Sequence, residues 1–253
     1  MKPYYSNELT TIYNGDCLEV MDYLIEQGIK VDAIITDPPY GTTACKWDNV
    51  IPFDKMWDRL KLLRKDKTPI VLFGSEPFSS QLRVSNLKEY KYDWIWNKKL
   101  AGNGILAKIQ PLKIHEIVSI FHTHNYYPIK TKGAMRLKMT GNPKISEING
   151  GGNKTAKQNY NDEYYPTSIV EFTLADLRVN RLHPTQKSLE LLSYLVKTYT
   201  KENDLILDFT SGSFTTCVAS EQLGRRSIGI ELEKKYCDIG IKRLNSLQLK
   251  FDI

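Results

Sequence analysis

The sequence predicts an α/β fold in which a doubly wound, mainly parallel sheet carries helices on both faces. Two observations support this reading. Strand-length apolar runs alternate with amphipathic helical stretches over about the first 120 residues, and the same alternation returns from Ser188 onward. Such alternation implies right-handed crossovers between parallel strands. A third observation limits it: residues 122–182 show no sustained period and are rich in Asn, Gly, Lys and Tyr, with a glycine cluster at 149–154. A segment of that length inside a compact domain is either functional or unstructured. The glycines suggest that part of it orders only on a partner.

In order, TTIYNG is a short strand, and Asp16 follows where a helix N-cap belongs for CLEVMDYLIEQG. VDAIIT is a buried-type strand that ends in DPPYG. FDKMWDRLKLL has helical spacing, with Phe53, Met56, Trp57 and Leu60 on one face. PIVLFG reads as a strand, EPFSSQLRVSNL as a helix, and YKYDWIW and HEIVSIF as two further strands. After the irregular stretch come SLELLSYLVKTYT (helix), DLILDF (strand), TTCVASEQLG (helix), RRSIGIE (strand) and KKYCDIGIKRLNSL (helix). No repeat or linker separates independent domains. Residues 1–253 therefore read as one domain, with 122–182 as an insertion within it.

Composition narrows the function classes. The chain has 253 residues, 41% hydrophobic and 25% charged, as in an ordinary globular protein. Lysine and arginine outnumber acids 35 to 29, which permits a polyanionic partner without demonstrating one. No apolar run is long enough to span a membrane, and the start MKPYYSNELT lacks a signal-peptide layout. Cys17, Cys45, Cys217 and Cys237 are scattered, which favours reduced cytoplasmic thiols over disulfides or zinc. The four histidines, His115, His122, His124 and His183, form no convincing ligand set, so no metal is expected.

The sharpest signal is Asp37-Pro38-Pro39-Tyr40, directly after a buried strand. Two prolines stiffen the turn and remove two backbone donors. The turn presents a carboxylate, the Pro38 carbonyl and an aromatic face, a set suited to a planar amino group that donates two hydrogen bonds while its ring stacks on Tyr40. The plain alternative is a strand-ending turn with an incidental tyrosine. The second signal is Asp208-Phe209-Thr210-Ser211-Gly212-Ser213-Phe214-Thr215-Thr216, again between strand and helix, followed by Glu231 at the end of the next strand. Small residues admit a ligand close to the backbone and the helix offers free N–H groups. An acid about 20 residues on is where doubly wound folds bind ribose hydroxyls. Each feature alone is weak, and the loop is not GxGxxG, which disfavours a dinucleotide.

Taken together, these features resemble the beta class of DNA amino-methyltransferases, over nearly the whole chain. DPPY lies before the irregular segment and the DFTSGSFTT loop near the C-terminus, in the family's order. Between them His183-Pro184-Thr185-Gln186-Lys187 resembles the family's HPTQKP segment, NGDCLEVM its early block with Asp16, and DWIWNK the strand lining the target-base pocket. The resemblance implies a Rossmann-like methyltransferase sheet with circularly permuted motif order, S-adenosylmethionine as cofactor and double-stranded DNA as partner. Its catalytic residues would be Asp37, Pro38, Pro39 and Tyr40. Asp16, Asp37, His183, Thr185, Lys187, Asp208, Phe209, Thr210, Gly212, Ser213, Phe214, Thr215 and Glu231 would hold the cofactor. Trp96, Lys98, Lys130, Lys132, Arg136 and Lys138 would face DNA, with Lys144, Lys154 and Lys157 adding to the basic surface of the insertion. A flipped adenine would be methylated at N6 by direct transfer.

Relatives of this kind form dimers and accompany restriction endonucleases, so both partners are open here. Two departures stand out: Phe214 replaces the second glycine of the usual GSGTT, and Ser188 replaces the proline after HPTQK. Cytosine N4 methylation is the nearest alternative, and Asp rather than Ser before PPY favours adenine. RNA, a protein glutamine amide, or a non-catalytic DNA-binding role are further alternatives.

Overall fold

The computed structural model describes residues 1–43, 45, 48–140, 157–174, 182–183 and 186–251. It divides into two compact units, Met1–Tyr127 with Ser168–Ile253, and Pro128–Thr167. The elements are β1 (Tyr5–Ser6), β2 (Thr10–Asn14), α1 (Cys17–Glu26), β3 (Ala33–Thr36), α2 (Phe53–Leu63), β4 (Ile70–Gly74), α3 (Phe78–Ser85), β5 (Tyr90–Asn97) and β6 (His115–Phe121). They continue with β7 (Thr131–Thr140), β8 (Lys157–Tyr164), β9 (Ile169–Glu171), α4 (Leu189–Tyr199), β10 (Leu205–Asp208), α5 (Thr215–Gln222), β11 (Arg226–Glu231) and α6 (Lys234–Phe251).

The larger unit is built on a nine-stranded sheet in the order β1-β2-β11-β10-β3-β4-β6-β5-β9. The run from β2 to β4 is parallel throughout, and β6 is antiparallel to both of its neighbours. Side chains alternate across the sheet as the period of two requires. Ile34, Ile70, Leu72, Leu207, Ile228 and Ile230 pack with α1, α2 and α3. Ala33, Ile35, Val71, Phe73 and Ile206 pack on the other face, with α4 and Ala219 of α5. A third cluster joins Ile12 to α5 and α6. Local chemistry sets the helix starts: Asp16 accepts from the Leu18 and Glu19 N–H groups, and Ser188 from that of Leu191. The strand and helix assignments made from sequence outside 122–182 all have a counterpart here.

Strand order fixes where a ligand belongs. β3 and β10 are parallel neighbours, with Ile206 opposite Ala33 and Leu207 opposite Ile34. From β3 the chain crosses through α2 to β4 on one side, and from β10 through α5 to β11 on the other. The C-terminal ends of β3 and β10 therefore bound the crevice at the topological switch point.

The smaller unit corrects the reading of 122–182 as irregular. It holds an antiparallel pair, β7 with β8, running from Thr131 opposite Tyr164 to Thr140 opposite Lys157, and β9 extends the main sheet beside β5. Met135, Leu137 and Met139 alternate with Arg136 and Lys138, a period of two, but the run is short and flanked by Gly133 and polar residues, and residues 131–137 are all exposed, so the alternation marks no buried face. Among the described residues no helix is long and apolar enough to cross a membrane, and no His, Cys, Asp or Glu group could hold a metal.

Candidate active site

A cavity of about 300 Å³ opens at the C-terminal ends of β2, β11, β10 and β3. That lies within the size range of small-molecule pockets. Asp16, Asp37, Asp208 and Glu231 line it, so four carboxylates from four strand ends face one space. Pro38, Pro39, Tyr40, His183, Lys187, Phe209, Thr210, Gly212, Ser213 and Thr215 complete the part foreseen from sequence.

The DPPY end is an ion-pair network. Lys187 Nζ lies 2.8 Å from Asp37 Oδ2 and 2.9 Å from Glu116 Oε2, and Lys98 Nζ lies 2.9 Å from Glu116 Oε1. The Tyr40 hydroxyl donates to Asp37 Oδ1. Burial raises the Asp37 pKa, with Lys187 opposing. Burial also works against the Glu116 charge, but the Lys187 and Lys98 ammoniums hold that carboxyl down at about 2. Lys187 was expected at the cofactor; it lines the cavity but its ammonium is committed to Asp37 and Glu116.

Asp48 shapes the turn after DPPY. Its carboxylate accepts from the backbone N–H groups of Tyr40, Gly41, Thr42 and Thr43, at 2.7 to 2.9 Å. Despite a desolvation penalty, these bonds lower its pKa. Neither Asp48 nor Glu116 was foreseen. Asp48 looks like any loop acid in the sequence, and its proximity to a DPPY turn eight residues upstream is its only signal.

The opposite end is built by the loop after β10. Asp208 Oδ1 accepts from Thr36 Oγ1 at 2.6 Å, and Thr210 Oγ1 donates to the Asp37 carbonyl at 3.1 Å, so the two strand ends are tied together directly. Gly212 has φ +53°, a left-handed conformation that favours glycine, and its N–H donates to Glu231 Oε2 at 2.8 Å. Glu231 Oε1 accepts from the Glu233 N–H, also at 2.8 Å. Burial raises Asp208 to about 6 and Glu231 to about 7. Burial likewise lowers His183 to about 4, so its ring, 4.1 Å from that of Tyr236, is neutral at pH 7. Arg243 of α6 was also missed; its guanidinium donates to the Ser213 carbonyl and to Thr215 Oγ1 and fastens the loop from behind.

Three expectations are not met as stated. The Phe214 ring does not line the cavity: it is fully buried with Ile12, Cys217 and Leu244, while its backbone takes the left-handed φ of +59°. Trp96 does not face outward: it is 1% exposed, and its indole N–H donates to the Phe172 carbonyl at 2.8 Å, because alternation along β5 turns it into the core with Trp94. Lys98 is drawn to Glu116, as given above. In the smaller unit, Lys130 pairs with Glu163 at 2.9 Å, the Arg136 guanidinium lies 4.1 Å from the Tyr164 ring centre, and Lys132 is exposed. Thr185, Pro184, Lys144, Lys154 and the glycine cluster lie outside the described residues, as do the side chains of Lys138 and Lys157.

The chain is similar to known DNA methyltransferases over most of its length. The model of a DNA methylase family aligns with residues 31–242. A DNA adenine methyltransferase of Escherichia coli, YhdJ, is 26% identical over 95% of this chain and 84% of its own length. Among solved structures, the M1.HpyAVI–SAM complex superposes with a TM-score of 0.63 and 26% identity, covering 94% of this chain and all of that one. The cytosine-N4-specific PvuII DNA methyltransferase reaches a TM-score of 0.62 at 15% identity, covering 96% and 88%, which is a likeness of fold alone.

Proposed function

This chain belongs to the DNA methylase family, and from that premise we propose that it methylates the exocyclic N6 of adenine in double-stranded DNA, with Asp37 at the target nitrogen. The observation that carries the proposal is the pairing of β3 with β10, which sets Asp37 beside Asp208 in one cavity. S-adenosylmethionine supplies the methyl group on a cationic sulfur. Its charge and its ribose diol suit a space lined by Asp16, Asp208 and Glu231. Glu231 is the acceptor for ribose hydroxyls, Asp16 and the Asp208 loop border the remainder, and neutral His183 covers Gly212, its ring 3.5 Å from where a Cβ would stand.

At the other end the Asp37 carboxylate and the Pro38 carbonyl accept the two amino hydrogens, and the Tyr40 ring stacks on the base. A carboxylate has about four acceptor directions, so Asp37 can serve the amino group while it pairs with Lys187. Holding the nitrogen in line is the main contribution of these residues. Asp before Pro-Pro-Tyr and the adenine-specific name of the E. coli relative favour adenine over cytosine. The smaller unit, with seven basic residues against Glu147, Asp162 and Glu163, is read as the target-recognition surface. A homodimer, a cognate restriction endonuclease, which the type II names of relatives favour, and a cytoplasmic location, which four free cysteines favour, complete the reading.

The test is incubation of unmethylated duplex DNA with tritiated cofactor, followed by digestion to nucleosides. Label in N6-methyl-2′-deoxyadenosine is expected; label in N4-methyl-2′-deoxycytidine would assign the other base. Asp37→Ala should abolish transfer while cofactor affinity stays within about threefold, and a variant that methylates at the parental rate would remove Asp37 from its role.

A further inference from the structure

The connection between β5 and β6, residues 98–114, combines two properties that seldom coexist on a free surface. It contains Lys98, Lys99, Lys108 and Lys113 and no acidic residue. It also displays Ile105 (99% exposed) and Ile109 (81% exposed), with Leu106, Leu112 and Ile114 exposed beside them. Contiguous apolar exposure of this kind marks a contact surface.

The display is built rather than frayed. Asn103 closes the loop on itself, accepting from the Lys113 N–H at 2.6 Å and donating to the Pro111 carbonyl at 3.2 Å. Backbone bonds from Lys98 to Ile114 and from Gly102 to Lys113 close its neck, and Gly104–Leu106 forms a 3₁₀ turn at the tip. The isoleucines are thus held outward and cannot fold back onto the core.

The loop leaves the same end of the sheet as the site. β5 is antiparallel to β6, and β6 to β4, so the end of β5 and the start of β6 share the sheet edge that carries Asp37. Its root is linked to the site through a chain of ion pairs: Lys98 binds Glu116, Glu116 meets Lys187, and Lys187 meets Asp37. The Lys113 ammonium is also tied to the Ser75 hydroxyl just after β4.

We propose that this loop is an apolar wedge for duplex DNA, in which Ile105 and Ile109 enter the base stack next to the target nucleotide while Lys108 and Lys113 engage the flanking phosphates. Isoleucine is among the side chains that serve as wedges between base steps, and a base drawn out of the duplex leaves a gap to be filled. The occupant follows from charge. The loop holds four lysines and no acid; Lys98 and Lys99 pair with Glu116 and Glu171 outside it, and Lys108 and Lys113, with no carboxylate partner among the described residues, suit a polyanion and repel a second copy of the same loop. The inference rests on the reading of the chain as a DNA methyltransferase and adds the element that opens the duplex.

The experiment compares Ile105→Ser with Ile109→Ser, combined, against the combined Ile105→Leu and Ile109→Leu variant and the parent. Both side chains are exposed, so neither change disturbs the core. Methylation of native DNA with tritiated cofactor should fall tenfold or more in the serine variant and stay within twofold in the leucine variant. Cofactor affinity by calorimetry and sedimentation mass should match the parent in both. A serine variant at the parental rate overturns the wedge, as does an equal loss in the leucine variant. A fall in mass would reassign the face to a subunit contact. A parent that labels no DNA would instead refute the underlying methyltransferase reading.

Discussion

At the scale of single residues, Phe214 shows how a departure from a family pattern is accommodated. Its ring occupies space that two glycines leave open: a Cβ on Gly229 would lie 2.6 Å from Phe214 Cε1, and one on Gly240 2.3 Å from Cδ2. The substitution therefore acts on the core behind the loop and leaves the cavity wall alone. Phe214→Gly would relieve a left-handed backbone worth about 1–2 kcal/mol but forfeit a buried ring worth about 3–5 kcal/mol. A net loss of about 2–3 kcal/mol is expected in denaturant unfolding, and an unchanged midpoint would mean that the glycines, not the ring, set the packing.

Glu231 offers a second test. Its folded pKa, about 7, lies above the ordinary 4.5, so between these values the folded protein binds a proton that the unfolded chain does not. That contribution to stability is lost as pH rises through about 7. Relative to the parent, Glu231→Gln should therefore gain stability between pH 4.5 and pH 8, on the order of 2 kcal/mol, while binding cofactor about tenfold more weakly. Thermal melts at both pH values and calorimetry measure the two effects. Asp37, Asp208 and Glu231 were legible in the sequence because each follows an apolar strand. Glu116 and Arg243 were not, because only tertiary packing brings them to the site, and Asp48 was not, because a loop acid beside DPPY carries no pattern of its own.

At the scale of elements, the segment after β3 owes its shape to one side chain of its own, Asp48. Four N–H groups of the turn converge on Asp48, which is buried. Asp48→Ala should leave global stability nearly intact, since Tyr40 alone of the turn packs against the core clusters, and slow methyl transfer tenfold or more, the loss of at least one charge-assisted bond's worth of positioning. Single-turnover rates beside a melting curve would separate the two; a large drop in melting temperature would make Asp48 a structural residue. The β7–β8 pair shows the opposite limit of pattern reading. Helices α1, α2 and α4 announce themselves because each buries one face. In β7 residues 131–137 are all exposed, so its short alternation of Met135 and Leu137 with Arg136 buries no such stripe, and the two strands are held by their pairing.

At the scale of the whole molecule, basic charge is unevenly placed: Pro128–Thr167 carries seven basic and three acidic residues, four of the chain's formal +6. If that unit grips phosphates, each neutralised phosphate adds about 0.9 to the log–log dependence of affinity on salt. Replacing Lys132 and Arg136 with Gln should lower the slope by up to about 1.8 and leave cofactor affinity unchanged. Salt titrations of DNA binding would show it, and a parental slope would move the footprint elsewhere. The permuted order was readable from motif sequence, and the sheet explains why it works: adjacency of β3 and β10, not succession along the chain, creates the crevice. The same adjacency has a consequence for biosynthesis. The bond from Thr36 to Asp208 spans 172 positions, so a ribosome adding roughly 5–20 residues per second leaves the DPPY strand without its neighbour for about ten to thirty-five seconds. During that interval the nascent chain exposes an apolar strand edge and can hold neither ligand, which makes it a natural client for chaperones and leaves methylation to chains that have finished translation.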